Sequence, residues 1–257
     1  MSPTVSLKLP EETGSGARLT TSLLMMNLVA PELKVLPRPF SFQLGLKEFV
    51  LLGGLSSRDA DLFLRLAARL HHPEAGQILH WGQDLFALPR PQRYQQRGRM
   101  AFVSPFQSLL PRLTLGENLV LAKTLTTPIS PAAVLDRYQD LWERLQLLPW
   151  LQHYPRELPP LCYQLALWGR ELTKDPDLIL GLLPYPEGNL TELSRILGPV
   201  LINFQARQSG ALLLAGPALE FALPVADRLV QASPCGWQEY PLPGRARHSL
   251  LRFLPLS

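Results

Sequence analysis

The feature that most constrains this chain is an apolar run, Phe49 to Leu52, that stops on Gly53-Gly54 and passes at once into the polar run Ser56-Ser57-Arg58-Asp59. Beyond it Leu62, Leu66 and Leu70 recur at four-residue spacing, with Phe63 and Ala67 alongside, which is the spacing of a helix with one apolar face. Strand, glycine turn and helix in that order predict an α/β unit of the phosphate-binding kind. Such a unit needs further buried parallel strands, and these read as continuous apolar runs. Leu178 to Leu183 and Ala211 to Ala215 are runs of that kind, bounded by Pro and Gly.

The remaining elements fall around this unit. Strands are predicted at Leu23 to Val29, at Phe40 to Leu46 ahead of a turn at Lys47-Glu48, at Gly76 to Trp81 before Gly82, and at Phe102-Val103, cut by Pro105. From Thr114 to about Leu172 the pattern is helical, and Pro131 opens a helix that runs through Asp136, Leu141 and Leu145. Residues 1–21 are rich in Pro, Gly, Ser and Thr and are expected to form a loose tail. No internal repeat is visible.

Composition excludes several classes. With 257 residues, 46% hydrophobic and 18% charged, the chain can bury a core and is not a disordered type. A net charge of +4 is small for this length, and the one local basic cluster seen in the sequence, Arg245, Arg247, His248 and Arg252, reads as a solvated tail. No nucleic-acid partner is expected. Cys162 and Cys235 make neither a disulfide framework nor a metal site. No uncharged run reaches the length of a membrane helix, and the apolar segment Ser22 to Ala30 is followed at once by Pro31, Glu32 and Lys34. The expectation is a cytoplasmic protein, without membrane insertion, seated on a membrane-embedded partner.

Five stretches, in order, resemble one family. They are GQILHWGQDLFAL at 76–88, MAFVSPFQSLLPRLTLGENLVL at 100–121, YPRELPPLCYQLALWGREL at 154–172, DPDLIL at 175–180 and LEFALPVADRL at 219–229. They are similar to the segment after the first helix, the Q-loop, the signature motif, the lead-in to Walker B and the segment after the H-loop of ATP-binding-cassette (ABC) transporter ATPases. The pattern is closest to the lipoprotein-release, macrolide-export and FtsE-like branch. The resemblance implies an α/β, P-loop NTPase-like core with a mainly parallel sheet and an α-helical subdomain. It places the cassette domain at 22–232, its helical subdomain at about 105–172, and an extension at 233–257.

The same resemblance implies ATP and magnesium, but the motifs that hold them are replaced. A P-loop reads G-x-x-x-x-G-K-[ST], with backbone N–H groups around phosphate, Lys neutralising it and the hydroxyl on magnesium. Here Gly54-Leu55-Ser56-Ser57-Arg58-Asp59-Ala60-Asp61 stands in its place, so Asp59, Ala60 and Asp61 replace the second Gly, the Lys and the Ser or Thr. Arg58 is a poor substitute phosphate ligand because two carboxylates flank the same turn. Asp59 or Asp61 is expected to cap the following helix instead.

Walker B falls at Leu182-Leu183 when counted from Asp175-Pro176, or at Pro184-Tyr185 when counted back from Gly188-Asn189-Leu190; neither register offers a carboxylate. The H-loop histidine aligns with Pro217 and the Q-loop glutamine with Pro105, Gln107 standing two residues late. The signature reads Leu158-Pro159-Pro160-Leu161-Cys162, without its glycines and with prolines that have no N–H to donate. Cys162 reads as a buried inert thiol, His71-His72 as residues of a helix C-terminus, and His153, Glu157 and Cys162 as a chance trio.

Together these imply an inactive cassette subunit, a pseudo-ATPase with no catalytic, nucleotide-binding or metal residues. It would be a structural or regulatory partner of a membrane permease subunit and of an intact ATPase subunit. The alternative is a functional transporter ATPase with a non-standard nucleotide site, for which the sequence shows no replacement ligand set.

Overall fold

The structure is a computed structural model, and it describes residues 21–125, 127–183, 190–207, 210–216, 219, 221–233 and 235–242. Two sheets organise it. Strands β1 (Thr21–Val29), β2 (Phe40–Gly45) and β4 (Ala75–His80) form an antiparallel sheet in the order β2-β1-β4. Strand β3 (Phe49–Gly53) joins the second sheet with β5 (Met100–Val103), β6 (Leu178–Leu182), β7 (Ala211–Ala215), β8 (Arg228–Ser233) and β9 (Gly236–Pro241), in the order β5-β6-β7-β3-β8-β9. The first five strands make four parallel pairings, and β9 closes the edge as an antiparallel hairpin with β8.

The alternation of side chains along a strand divides the core in two. Phe49 and Leu51 of β3, Ile179 of β6 and Leu212 and Leu214 of β7 face the helices α3 (Leu115–Thr124), α4 (Pro131–Arg144), α5 (Pro160–Leu172) and α6 (Leu190–Ala206). Val50, Leu52, Leu178, Leu180, Leu182 and Leu213 face α1 (Ser57–Ala67) and the antiparallel sheet. A sheet buried on both faces needs apolar residues at every position, so β6 and β7 read as unbroken runs in the sequence.

Within β6, Gly181 is fixed by packing: a Cβ there would lie 2.4 Å from the Trp168 ring of α5. Thr114 and Glu117 close a capping box at the start of α3, and Ser130 caps α4 before Pro131. The helical stretch from Thr114 to Leu172 is divided by two 3-10 turns, Leu148–Trp150 and Pro155–Glu157.

The α1 stripe differs from the expectation. Its buried face is Ala60, Phe63, Leu64 and Ala67 together with Leu66, while Leu62 is only half-buried. Leu70 is 47% exposed because α1 ends at Ala67 and Arg69 turns the chain with φ 55°. The helix α2 (Arg90–Gly98) has no buried residue and hence no apolar period for a sequence reading to find.

Candidate functional site

The P-loop position lies between β3 and α1. Gly54 has φ +75°, and a Cβ there would lie 2.4 Å from the Ala232 carbonyl oxygen, so the glycine lets the chain leave β3 against β8. The next two residues already reach the helix. Ser56 is the N-cap, its Oγ accepting from the Asp59 N–H at 3.1 Å, and the Ala60 N–H donates to the Ser56 carbonyl at 2.8 Å. Helical residues therefore begin at Ser57, the fourth position of the eight-residue motif. Residues that would have to wrap a phosphate form the first turn of α1, where the Asp59 and Ala60 amides are already bonded within the chain.

The expected cap is thereby corrected. Ser56, not Asp59 or Asp61, caps α1; Asp59 sits in the first turn and accepts the Ser56 hydroxyl at 2.7 Å. Asp61 points inward. Its Oδ1 accepts the Ser104 hydroxyl at 2.6 Å and its Oδ2 accepts Arg65 Nε at 2.6 Å. The two carboxylates do not act as one repulsive pair, because the Asp61 charge is matched by Arg65 one helical turn later. Arg58 is exposed.

Ser104 directly follows the last residue of β5, one residue before Pro105, and is fully buried. Around it the Q-loop segment is tied down residue by residue. Gln107 turns its Oε1 onto the Ser104 N–H at 3.2 Å, which engages its acceptor oxygen within the loop. Arg170 donates to the Ser108 carbonyl at 2.9 Å, and the Leu109 N–H donates to the Tyr163 hydroxyl at 3.0 Å. Buried Asn118 accepts from the Leu110 N–H at 2.7 Å and donates to the Leu110 carbonyl at 3.1 Å. Sequence reasoning missed Ser104, Asn118 and Tyr163. Only Asn118 left a signal, a polar residue between Leu115 and Leu119 on an apolar helix face.

The other motif positions are equally occupied by structure. Leu182 and Leu183 are each 1% exposed, and the Leu183 N–H donates to the Ala215 carbonyl at 2.9 Å. Pro184, Tyr185, Gly188, Asn189 and Pro217 lie outside the described residues, as do Arg245, Arg247, His248 and Arg252. At the signature, Pro159 is the N-cap of α5 and makes no side-chain cap, and Pro160 opens the helix. The prolines start a helix there but remove two amides from its N-terminus.

Cys162 is buried, and burial pushes its thiol up to about 11, so it carries no thiolate near neutrality. His71 and His72 lie beyond the end of α1: His71 reaches Glu32 at 3.7 Å and His72 packs on Phe86. His153 packs on Trp150 while Glu157 accepts the Tyr154 N–H at 2.8 Å, contacts that stay within their own turn. No group of three or more His, Cys, Asp or Glu that could hold a metal occurs among the described residues.

A second basic cluster joins Arg69 to Arg93 and Arg97 of α2. Arg69 and Arg93 lie over the Phe86 ring, 4.4 and 5.4 Å from its centroid. Arg97 donates to the Arg69 carbonyl, and burial first, then Arg93, lowers its pKa.

No family profile matches the chain. A putative peptide import ATP-binding protein of Brucella ovis is 29% identical over 193 residues, 74% of this chain and 61% of that protein, so the match spans less than two thirds of that relative. The lipoprotein-releasing system ATP-binding protein LolD of Pseudomonas fluorescens is 33% identical over 162 residues, 62% of this chain and 70% of that protein. In fold, the chain is similar to a dimeric bacterial ABC transporter cassette, with a TM-score of 0.73 at 19% identity, covering 86% of this chain and 99% of that one. The ATP-binding subunit of an ABC transporter gives 0.72 at 21% identity over 92% and 96%. The five stretches, the parallel sheet with its helical layer, and the LolD relative together make this chain a member of the ABC-transporter ATP-binding-cassette family.

Proposed function

We propose that this chain is a cassette subunit that neither holds nor hydrolyses ATP and serves as a structural or regulatory partner in a membrane transporter complex. The observation that carries this reading is the early start of α1 at Ser57, capped by Ser56, which turns the phosphate cradle into helix. The residues at the site do not fit magnesium-ATP: Ala60 brings no charge to a phosphate, and the Asp61 carboxylate is already bonded to Ser104 and Arg65. No step of hydrolysis can be written through these side chains.

The partners that fit this reading are a permease subunit and an intact ATPase subunit, met at the cytoplasmic face of the membrane. That setting is supported by LolD, named as the ATP-binding protein of a lipoprotein-releasing system. No described helix is long and apolar enough to cross a membrane. The cassette domain is taken as 22–232, with the helical subdomain at about 105–172 as its permease-facing part and 233–257 as an extension. Residues Gly54, Ser56, Ser57, Arg58, Asp59, Ala60 and Asp61 are assigned no ligand.

Calorimetry of the purified chain with magnesium-ATP tests the reading. No saturable heat is expected at millimolar nucleotide. A dissociation constant below about 1 mM, equivalent to roughly 4 kcal/mol, would show a working non-standard site and overturn it.

A further inference from the structure

We propose that the Asp61–Ser104 hydrogen bond is an internal clamp that holds the Q-loop segment on α1 in one arrangement, whatever the nucleotide level. The proposal rests on the reading that the site takes no ATP, and it concerns what stands there instead. Asp61 occupies the position whose hydroxyl meets magnesium in a working P-loop. Here its carboxylate meets the Ser104 hydroxyl directly at 2.6 Å, the length of a charge-assisted O–H···O⁻ bond. Ser104 is fully buried and Asp61 is nearly so, which shields the bond from water.

The bond also orients residues 105–110. The Ser104 hydroxyl donates to Asp61, and its oxygen accepts the Phe106 N–H at 3.3 Å. Donation to a carboxylate makes that oxygen a better acceptor, so the two bonds strengthen each other. The Gln107 N–H closes onto the Ser104 carbonyl at 3.0 Å, and Leu109 and Leu110 are taken up by Tyr163 and Asn118. Asp61 thus stands at the head of a chain of bonds ending on α3 and α5. Phe106 and Leu110, 59% and 48% exposed, are carried on the surface of the segment so fixed.

Amide hydrogen exchange reads the clamp, since local opening sets the rate. In the unaltered chain, the bonded amides of this segment, those of Phe106, Gln107, Leu109 and Leu110, are expected to exchange slowly and at the same rate with and without magnesium-ATP. Asp61→Ala and Ser104→Ala should each speed exchange of these amides by at least about tenfold. The double variant should add little to either one, and amides of β8 and β9 should keep their rates. Arg65→Gln, which removes the other Asp61 partner, should leave Phe106, Gln107, Leu109 and Leu110 slow.

Unchanged rates in Asp61→Ala would overturn the clamp, as would an equal rise across the whole sheet, which marks global destabilisation. Slowing of 106–110 by magnesium-ATP in the unaltered chain would instead overturn the reading beneath it, so the two failures are distinguishable.

Discussion

Ser56 and Asp61 show how a few side chains decide what a loop can do. The hydroxyl of Ser56 takes the Asp59 amide, so replacing it with Ala should cost about 1 kcal/mol as a lost N-cap. Replacing Asp59 alone should cost less, since its contact in the first turn is with the Ser56 hydroxyl on the exposed side. Denaturant midpoints of the two variants check the order, and an equal or larger loss at Asp59 would return the capping role to it. The replacement of the motif was legible in the sequence because it is a matter of residue identity at fixed spacing. The residue that caps was not, because Ser56, Asp59 and Asp61 are all competent caps. The choice depends on where the helix starts, which Gly54 and the approach of Ala232 set from a strand far along the chain.

At the level of elements, long-range contacts fix what local pattern leaves open. The three central strands were visible because both faces are buried; α2 and β9 were not, since α2 buries nothing and β9 is largely exposed. Between β4 and α1, fully buried His80 places its Nε2 2.7 Å from the Ala67 carbonyl. Burial lowers its pKa from 6.5 to about 4, the Ala67 bond opposing the shift.

The unfolded chain therefore takes up a proton below about 6.5, while the folded chain does so only near 4. Stability is full above about pH 6.5 and falls as pH drops through that window, by up to about 3 kcal/mol from this group. His80→Leu should flatten that part of the stability curve while lowering stability at neutral pH. A slope unchanged between about pH 4 and 6.5 would place the dependence on other groups.

Strand β6 makes a second test. Gly181→Ala forces a Cβ against Trp168 and should destabilise by roughly 1–3 kcal/mol. Trp168→Phe should recover part of that loss when combined with it, and purely additive costs in a double-mutant cycle would argue against the contact.

For the whole molecule, the decisive fact is that one sheet serves two cores. Trp142 and Trp168 sit in the core on the helical face, and Trp237 packs on Phe42 and Phe63 on the other. Because alternate residues of β3, β6 and β7 belong to opposite cores, neither core can open without exposing strands that the other needs. In the unaltered chain, tryptophan fluorescence and far-ultraviolet circular dichroism should report the same denaturant midpoint; separated midpoints would mean that the helical layer unfolds on its own. This arrangement was legible as far as the fold class, since apolar runs and motif order specify it. Which face each helix covers required the three-dimensional register.

The outer strand β9 has a consequence for how the chain can meet other chains. It is six residues long, carries Gln238, Glu239 and Tyr240 toward solvent, and ends at Pro241, which has no amide hydrogen to offer. Glu239 is held 2.8 Å from Arg228, placing charge along the same border. An incoming strand would find a short, interrupted row of donors flanked by charge, the features that keep sheets from adding to one another. Among the described residues β9 is the outermost strand of its sheet, and these features disfavour stacking of copies edge to edge on that side.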